Sequence, residues 1–331
     1  MLKFGVVGTS WITDEYVTGA LETGLWSLSA VYSRKSDTAQ AFAQKYGGAE
    51  CFTDMEEMAE SKLIDAVYIA SPNMLHYKHC KCFLERGKHV ICEKPVYSQA
   101  EKVRELQRIA EERGAVFLEA IMYMHLPQRK KLQQAIGSIG DISLVKLDFC
   151  QRSSKYDSYL AGNLPNIFNP AMETGAFMDL GVYCVYPALH LFGEPDSVSA
   201  QGIMMDSGAD ATGVITMKYP DKLIILTYSK IGQAAAGSEF QGQRGTVYVD
   251  SISRLAGMEV LSSDGSKKRL HEQDSKSRLM GYEALDFCNF IMNPEKNRDD
   301  YAECKKLCLN VSEFMEKLRK EIGIAFPDTN P

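Results

Sequence analysis

Apolar residues in the first third of the chain come in short runs, separated by stretches with helical spacing. Leu2 to Gly8 reads as a buried strand entering a turn, and Leu28 to Ser33, Ile64 to Ala70, His89 to Cys92 and Val116 to Leu118 read as further strands. Between them, Ile12 to Thr23, Thr38 to Tyr46, Asp54 to Ala59, Leu75 to Arg86 and Gln99 to Arg113 read as helices. Gly47-Gly48, Gly87 and Gly114 supply C-terminal stops, where a left-handed residue is favoured. Strand–helix alternation with short turns predicts a doubly wound parallel sheet.

The pattern changes after about Ala120. A helix is expected from Pro127 to Ile136, then a long strand from Ile142 to Arg152, whose Leu144 to Phe149 segment is rich in β-formers and partly alternates. An Asn- and Pro-containing loop, Gly162 to Pro170, leads to a helix from Gly175 to Phe192. Further strands are expected at Ser197–Met205, Ala211–Tyr219, Leu223–Lys230, Glu239–Gln241, Thr246–Val249 and Glu259–Leu261. Hairpin-length gaps between them predict a largely antiparallel sheet. Gly281–Met292 and Tyr301–Glu321 read as closing helices. The expected organisation is an α/β dinucleotide-type domain at 1–121 and an α+β domain with an open sheet at 122–331.

Composition narrows the function classes. With 331 residues, 45% hydrophobic and 24% charged, the chain has material for two cores. A scattered net charge of −6 argues against a nucleic-acid or membrane partner. The nine cysteines are odd in number and show no disulfide-framework spacing, which suits a reducing cytoplasm. The start, Met1-Leu2-Lys3-Phe4-Gly5, has no signal-peptide layout, and no apolar run is expected to span a bilayer. His76, His79, Cys80 and Cys82 fall in one expected helix and cannot all face one ion, so no metal site is expected.

Candidate chemistry sits at the strand ends. Gly8-Thr9-Ser10-Trp11-Ile12 follows the first strand, with Gly8 at the first fingerprint position, Ser10 at the second and Thr13 at the third. The loop fits either a pyrophosphate-binding turn or an ordinary βα turn. The second strand ends Val31-Tyr32-Ser33-Arg34-Lys35, without the acid that binds a ribose diol and with an arginine suited to a 2′-phosphate. This favours NADP(H), with NAD(H) possible. Glu93-Lys94-Pro95 stands at the end of the strand His89 to Cys92, where open α/β sheets bind ligands.

Three segments stand in register with that lysine: Ala70-Ser71-Pro72-Asn73-Met74-Leu75-His76, Glu119-Ala120 and Asp179-Leu180-Gly181-Val182-Tyr183. Together they resemble the family of glucose–fructose oxidoreductase, inositol dehydrogenase and MocA over nearly the whole chain. Within it, the chain is most similar to the branch of dimeric dihydrodiol dehydrogenase and related sugar dehydrogenases. The resemblance implies an N-terminal Rossmann domain, a C-terminal open-sheet domain for substrate and dimerisation, and a homodimer or higher homo-oligomer. It implies cofactor contacts at Gly8, Thr9, Ser10, Trp11, Ile12, Ser33, Arg34, Ser71, Pro72, Asn73, His76, Glu93, Lys94 and Glu119, and catalytic roles for Lys94, Tyr183 and Asp179. The chain departs from the family pattern at Ser10, at Tyr123-Met124-His125-Leu126-Pro127, at Met172-Glu173-Thr174-Gly175 and at Ile167-Phe168.

These residue types suit oxidation of a secondary alcohol. A free phenol titrates near 10, too high for a base at neutral pH, and an ammonium beside it favours the phenolate. Lys94 is therefore expected to tune Tyr183 and to bond the substrate oxygen, with Asp179 one turn away orienting Lys94 or a substrate hydroxyl. Tyr186 and His190 are expected to be packing residues. The expected reaction is hydride transfer between nicotinamide and a sugar, cyclic polyol or related carbonyl compound. Two alternatives are a glycoside hydrolase using transient oxidation by a retained NAD, and a nucleotide or ligand sensor without catalysis.

Overall fold

In the computed structural model, which describes residues 1–327, the chain divides into two units. The first comprises Met1–His125 and Ser275–Leu309; the second comprises Leu126–Asp274 and the chain from Asn310. Residues 328–331, the last of the expected second domain, lie outside the described residues.

The first unit begins β1 (Leu2–Val7), α1 (Trp11–Glu22), β2 (Trp26–Tyr32), α2 (Ser36–Gln44), β3 (Glu50–Phe52), α3 (Met55–Glu60). It continues β4 (Ala66–Ile69), α4 (Asn73–Glu85), β5 (His89–Glu93), α5 (Ala100–Arg113), β6 (Phe117–Ala120), α6 (Met122–His125). The six strands are parallel in the order β3-β2-β1-β4-β5-β6, the doubly wound Rossmann arrangement expected. All four residues of β4 are buried, as a central parallel strand covered on both faces requires. Gly114 takes φ +62° and caps α5.

The second unit contains α7 (Gln128–Ser138), β7 (Ile142–Cys150), α8 (Tyr156–Leu160) and α9 (Val182–Phe192), followed by seven strands. These are β8 (Ser197–Met204), β9 (Asp210–Lys218), β10 (Leu223–Ser229), β11 (Ser238–Gly242), β12 (Gly245–Ser251), β13 (Ala256–Ser262) and β14 (Lys267–His271). They form one eight-stranded sheet, β14-β13-β12-β11-β7-β10-β9-β8, antiparallel except where β7 and β10 run parallel. Val145, Leu147, Ile224, Leu226, Tyr228, Phe240 and Val247 are buried, while Lys146 and Glu239 pair in the open. α9 lies on the sheet: the Phe177 and Tyr228 rings meet at 5.3 Å and the Cys184 thiol approaches Thr227 O at 3.8 Å.

The chain returns to the first unit with α10 (Lys276–Met292), and α11 (Arg298–Ile322) divides between the units at Leu309. Gly19 and Gly281 let α1 and α10 meet backbone to backbone, since a Cβ on Gly19 would stand 2.7 Å from Gly281 N. Trp26 donates to Ala284 O at 2.8 Å and stacks on Phe287 at 5.4 Å.

Two expectations change. The expected helix from Gly175 opens as a π turn, Phe177–Gly181, before α9 begins. And the stretch Pro170–Phe192 does have the length and apolar content of a bilayer span, contrary to the sequence expectation; two-thirds of its most apolar window is buried inside the chain, as a core helix would be.

Candidate functional site

Parallel strands end on one edge, and the register brings the sequence-expected cofactor residues of the first unit to that edge. Val7 lies opposite Tyr32 and Ile69, Ile69 opposite Cys92, and Glu93 opposite Ala120. Gly8, Ser33, Ser71, Lys94 and Glu119 therefore sit side by side at the carboxyl ends of five strands. Gly8 has φ +106°, and a Cβ there would stand 2.7 Å from Ala70 O. Only glycine fits this approach of the first loop to the Ala70-Ser71 backbone.

The fit to a dinucleotide rests on α1. Ser10 occupies its N-cap without a side-chain cap, so the first-turn N–H groups keep an anion-facing end. Ser10 and Trp11 are exposed, whereas Thr13 is fully buried with its hydroxyl unpartnered among the described residues. At the end of β2, Ser33 N donates to Phe52 O at 3.1 Å, Lys35 N donates to Ser33 Oγ at 3.4 Å, and Arg34 is exposed.

Three side chains tie the neighbouring loops together. The buried His76 ring places Nε2 2.7 Å from Ser71 O and Nδ1 2.9 Å from Pro95 O, bridging the loops after β4 and β5. Burial pushes its pKa down and favours the neutral ring, which donates to one carbonyl and abuts the other. His79 Nδ1 meets Ser71 Oγ at 2.9 Å, and burial lowers its pKa to about 4. The buried Glu119 carboxylate accepts from Val96 N at 2.9 Å and fixes the turn after the cis Lys94-Pro95 peptide.

Glu93 is held from behind. Tyr68 donates to its Oε1 at 2.6 Å, Lys94 N donates to its Oε2 at 3.3 Å, and the Tyr68 ring stacks on Tyr16 at 3.8 Å. Burial, with Glu93 second, raises the Tyr68 pKa well above the ordinary phenol value. Glu283 of α10 is fully buried in the same unit; burial and then the charge of Glu93 push its pKa well up. Thr9 lies in the loop after β1 and Ile12 on the first turn of α1, while Pro72 is the N-cap of α4 and Asn73 its first residue.

In the second unit, Asp179 sits inside the π turn and Tyr183 on the first turn of α9, its ring edge-on to Phe149 at 5.2 Å. π turns recur at functional sites. Asp179 is ion-paired with Lys230, which also donates to Ile167 O at 3.0 Å and lies 5.8 Å over the Phe168 ring. Asp210 accepts from Phe177 N at 2.6 Å, and a Cβ on Gly175 would overlap its Oδ1. Burial lifts the Asp210 carboxyl to about 6 despite that bond and nearby Lys230. Lys230 and Asp210 were not singled out from sequence; the signal was a charged residue at the start of one β-strand and one just past the end of the next, 31 and 51 residues from Asp179. Tyr186 is buried, and His190 Nε2 meets Arg129 Nη1 at 3.0 Å. Among the described residues, no group of His, Cys, Asp and Glu is placed to hold a metal ion.

Comparison with known proteins agrees with this arrangement. Residues 2–120 match the GFO/IDH/MocA oxidoreductase family, NAD-binding Rossmann fold, and residues 130–250 match the GFO/IDH/MocA C-terminal domain. The chain is 38% identical to scyllo-inositol 2-dehydrogenase (NADP(+)) IolU of Bacillus subtilis (strain 168), covering 99% of each chain. It is 28% identical to trans-1,2-dihydrobenzene-1,2-diol dehydrogenase of Mus musculus, covering 98% of each. Its fold is similar to that of a 3-ketoreductase from Actinomadura kijaniata in complex with NADP and TDP-benzene, with TM-score 0.82, 22% identity and 97% of each chain covered.

Proposed function

The chain belongs to the Gfo/Idh/MocA oxidoreductase family, and from that premise we propose that it oxidises or reduces a sugar, cyclic polyol or related carbonyl compound with NADP(H). The observation that carries this reading is the assembly of Gly8, Ser33-Arg34, Ser71, Lys94 and Glu119 along one carboxyl edge of a parallel sheet. Arg34 at the end of β2 supports NADP(H) over NAD(H): no acid stands there for a ribose diol, and an exposed guanidinium can clamp a phosphate in two bonds. The relative with 38% identity is named for NADP(+) and scyllo-inositol, which suits the same preference and substrate class.

When bound, nicotinamide accepts or returns the hydride. The chain takes or returns the proton and supplies the orientation. Lys94, anchored by the Glu93 and Pro95 contacts around it, donates to the substrate oxygen and favours the phenolate of Tyr183. Tyr183 takes the hydroxyl proton in oxidation and gives it to the carbonyl oxygen in reduction. Asp179 lies in the turn before Tyr183, ion-paired with Lys230.

The test is a titration with NADPH and NADH, followed by a screen of scyllo-inositol, other inositols, aldoses and diols for change in nicotinamide absorbance. The expected result is tighter NADPH binding and turnover of at least one cyclic polyol or sugar. Tighter NADH binding overturns the coenzyme assignment. Nucleotide binding without redox change on any of these compounds overturns the substrate class.

A further inference from the structure

We propose that Lys230 is a positioning residue for this reaction: it holds the Asp179 carboxylate, and through it the turn that presents Tyr183. The inference rests on the reading of Tyr183 given above and extends it to residues that reading did not use.

Lys230 is a buried cation, 4% exposed, and a buried ammonium needs its charge and its donors met. Its backbone is fixed on both sides: its N–H donates to Ala211 O at 2.9 Å, and its carbonyl accepts from Ser153 N at 2.8 Å. The ammonium pairs with Asp179, donates to Ile167 O and lies over the Phe168 ring. It therefore clamps the loop before the π turn and the centre of the turn at once.

Asp210 holds the other end of the same turn. Its carboxyl accepts from Phe177 N, and Gly175 leaves room for its second oxygen. Behind the turn, Phe177 packs on Tyr228 of β10, two residues before Lys230, which follows the strand. Lys230, just after β10, and Asp210, the first residue of β9, thus brace the segment 175–181, and Tyr183 follows two residues after its end. A π turn spends a residue more per turn than an α-helix, so its register depends on such outside contacts. Losing the clamp is expected to move the Tyr183 hydroxyl away from the reacting oxygen, which lowers turnover more than binding.

Removing one partner of a buried ion pair costs stability even where the pair only packs, so loss of stability in a Lys230 variant does not mark a positioning role, whereas a fall in kcat at near-constant KM does. The experiment separates the two roles. The whole chain is assayed with scyllo-inositol and NADP+ as wild type, Lys230→Met, Lys230→Arg and Tyr183→Phe. In Lys230→Met the expected kcat is lower by about tenfold or more with KM within about threefold, and Lys230→Arg recovers part of the loss. Lys230→Met with wild-type kcat, beside an inactive Tyr183→Phe, overturns the role of Lys230 and leaves that of Tyr183 standing. Full turnover by Tyr183→Phe overturns the underlying reading itself. If Lys230→Met fails to fold, Lys230→Gln, which keeps a donor for Ile167 O without the charge, is judged by the same outcomes. Hydrogen exchange of peptides spanning 176–184 needs no substrate. Exchange there is expected to rise about tenfold in Lys230→Met with β8 to β10 unchanged, and unaltered protection overturns the proposal.

Discussion

Replacing Asp210 with asparagine should shift the stability difference toward the variant as pH rises to about 6 and flatten its stability over the acid range. Asp210 is fully buried, and its carboxyl titrates at about 6 rather than at the ordinary 3.8, with burial as the largest cause. The folded chain therefore keeps the proton where the unfolded chain has lost it. The stability from this group is fully present below 3.8 and declines as pH rises to about 6, the folded value. At about 1.4 kcal/mol per pH unit, that loss amounts to about 3 kcal/mol. Asparagine has the same shape, carries no charge and can still accept from Phe177 N. Urea unfolding of both proteins at about pH 4 and about pH 7.5 should show the difference between them shifting by about 2.4 kcal/mol toward the variant, part of the full loss because pH 4 already lies above the unfolded value. Taking the difference removes the other titrating groups, His79 among them. Parallel stability curves, or a difference that moves toward the wild type as pH rises, refute the reasoning.

Three further substitutions test the coenzyme edge and the turn. Gly8→Ala forces a side chain against Ala70 O at a positive φ, a strain of about 1–3 kcal/mol. NADPH affinity measured by fluorescence titration should fall with stability, and unchanged values of both contradict the close approach. Arg34→Ala should weaken NADPH binding by about 1.5–3 kcal/mol, the value of a charged hydrogen bond, and leave NADH binding within about twofold. Equal losses for the two nucleotides would rule out a 2′-phosphate contact. Gly175→Ala should cost about 1–3 kcal/mol in thermal or urea unfolding, because its Cβ meets the Asp210 carboxyl inside the second unit. A neutral result there would mean the turn has room to shift.

The parallel sheet was legible because its strands are buried on both faces and read as unbroken apolar runs, as in Val67-Tyr68-Ile69, with glycine stops between helices. β3 was not, since Glu50-Cys51-Phe52 is too short to show a period, and Lys267–His271 at β14 is mostly charged. The π turn was hidden by a sequence, Phe177 to Phe192, whose spacing suits a plain α-helix; the buried Asp210 and Lys230 that hold it lie far off in sequence. The strand-end residues were readable one by one from turn chemistry. That His76 ties Ser71 to Pro95, or that Glu119 takes the Val96 N–H, depends on strand order, which local pattern does not carry.

The most direct measurement on the central claim is hydride transfer in Lys94→Met and Tyr183→Phe, followed as nicotinamide absorbance in a single turnover with scyllo-inositol, alongside NADPH affinity. The account predicts that both variants bind NADPH nearly as the wild type does and transfer hydride slower by about two orders of magnitude or more, the usual contribution of a placed acid or base. Wild-type transfer rates in either variant contradict it.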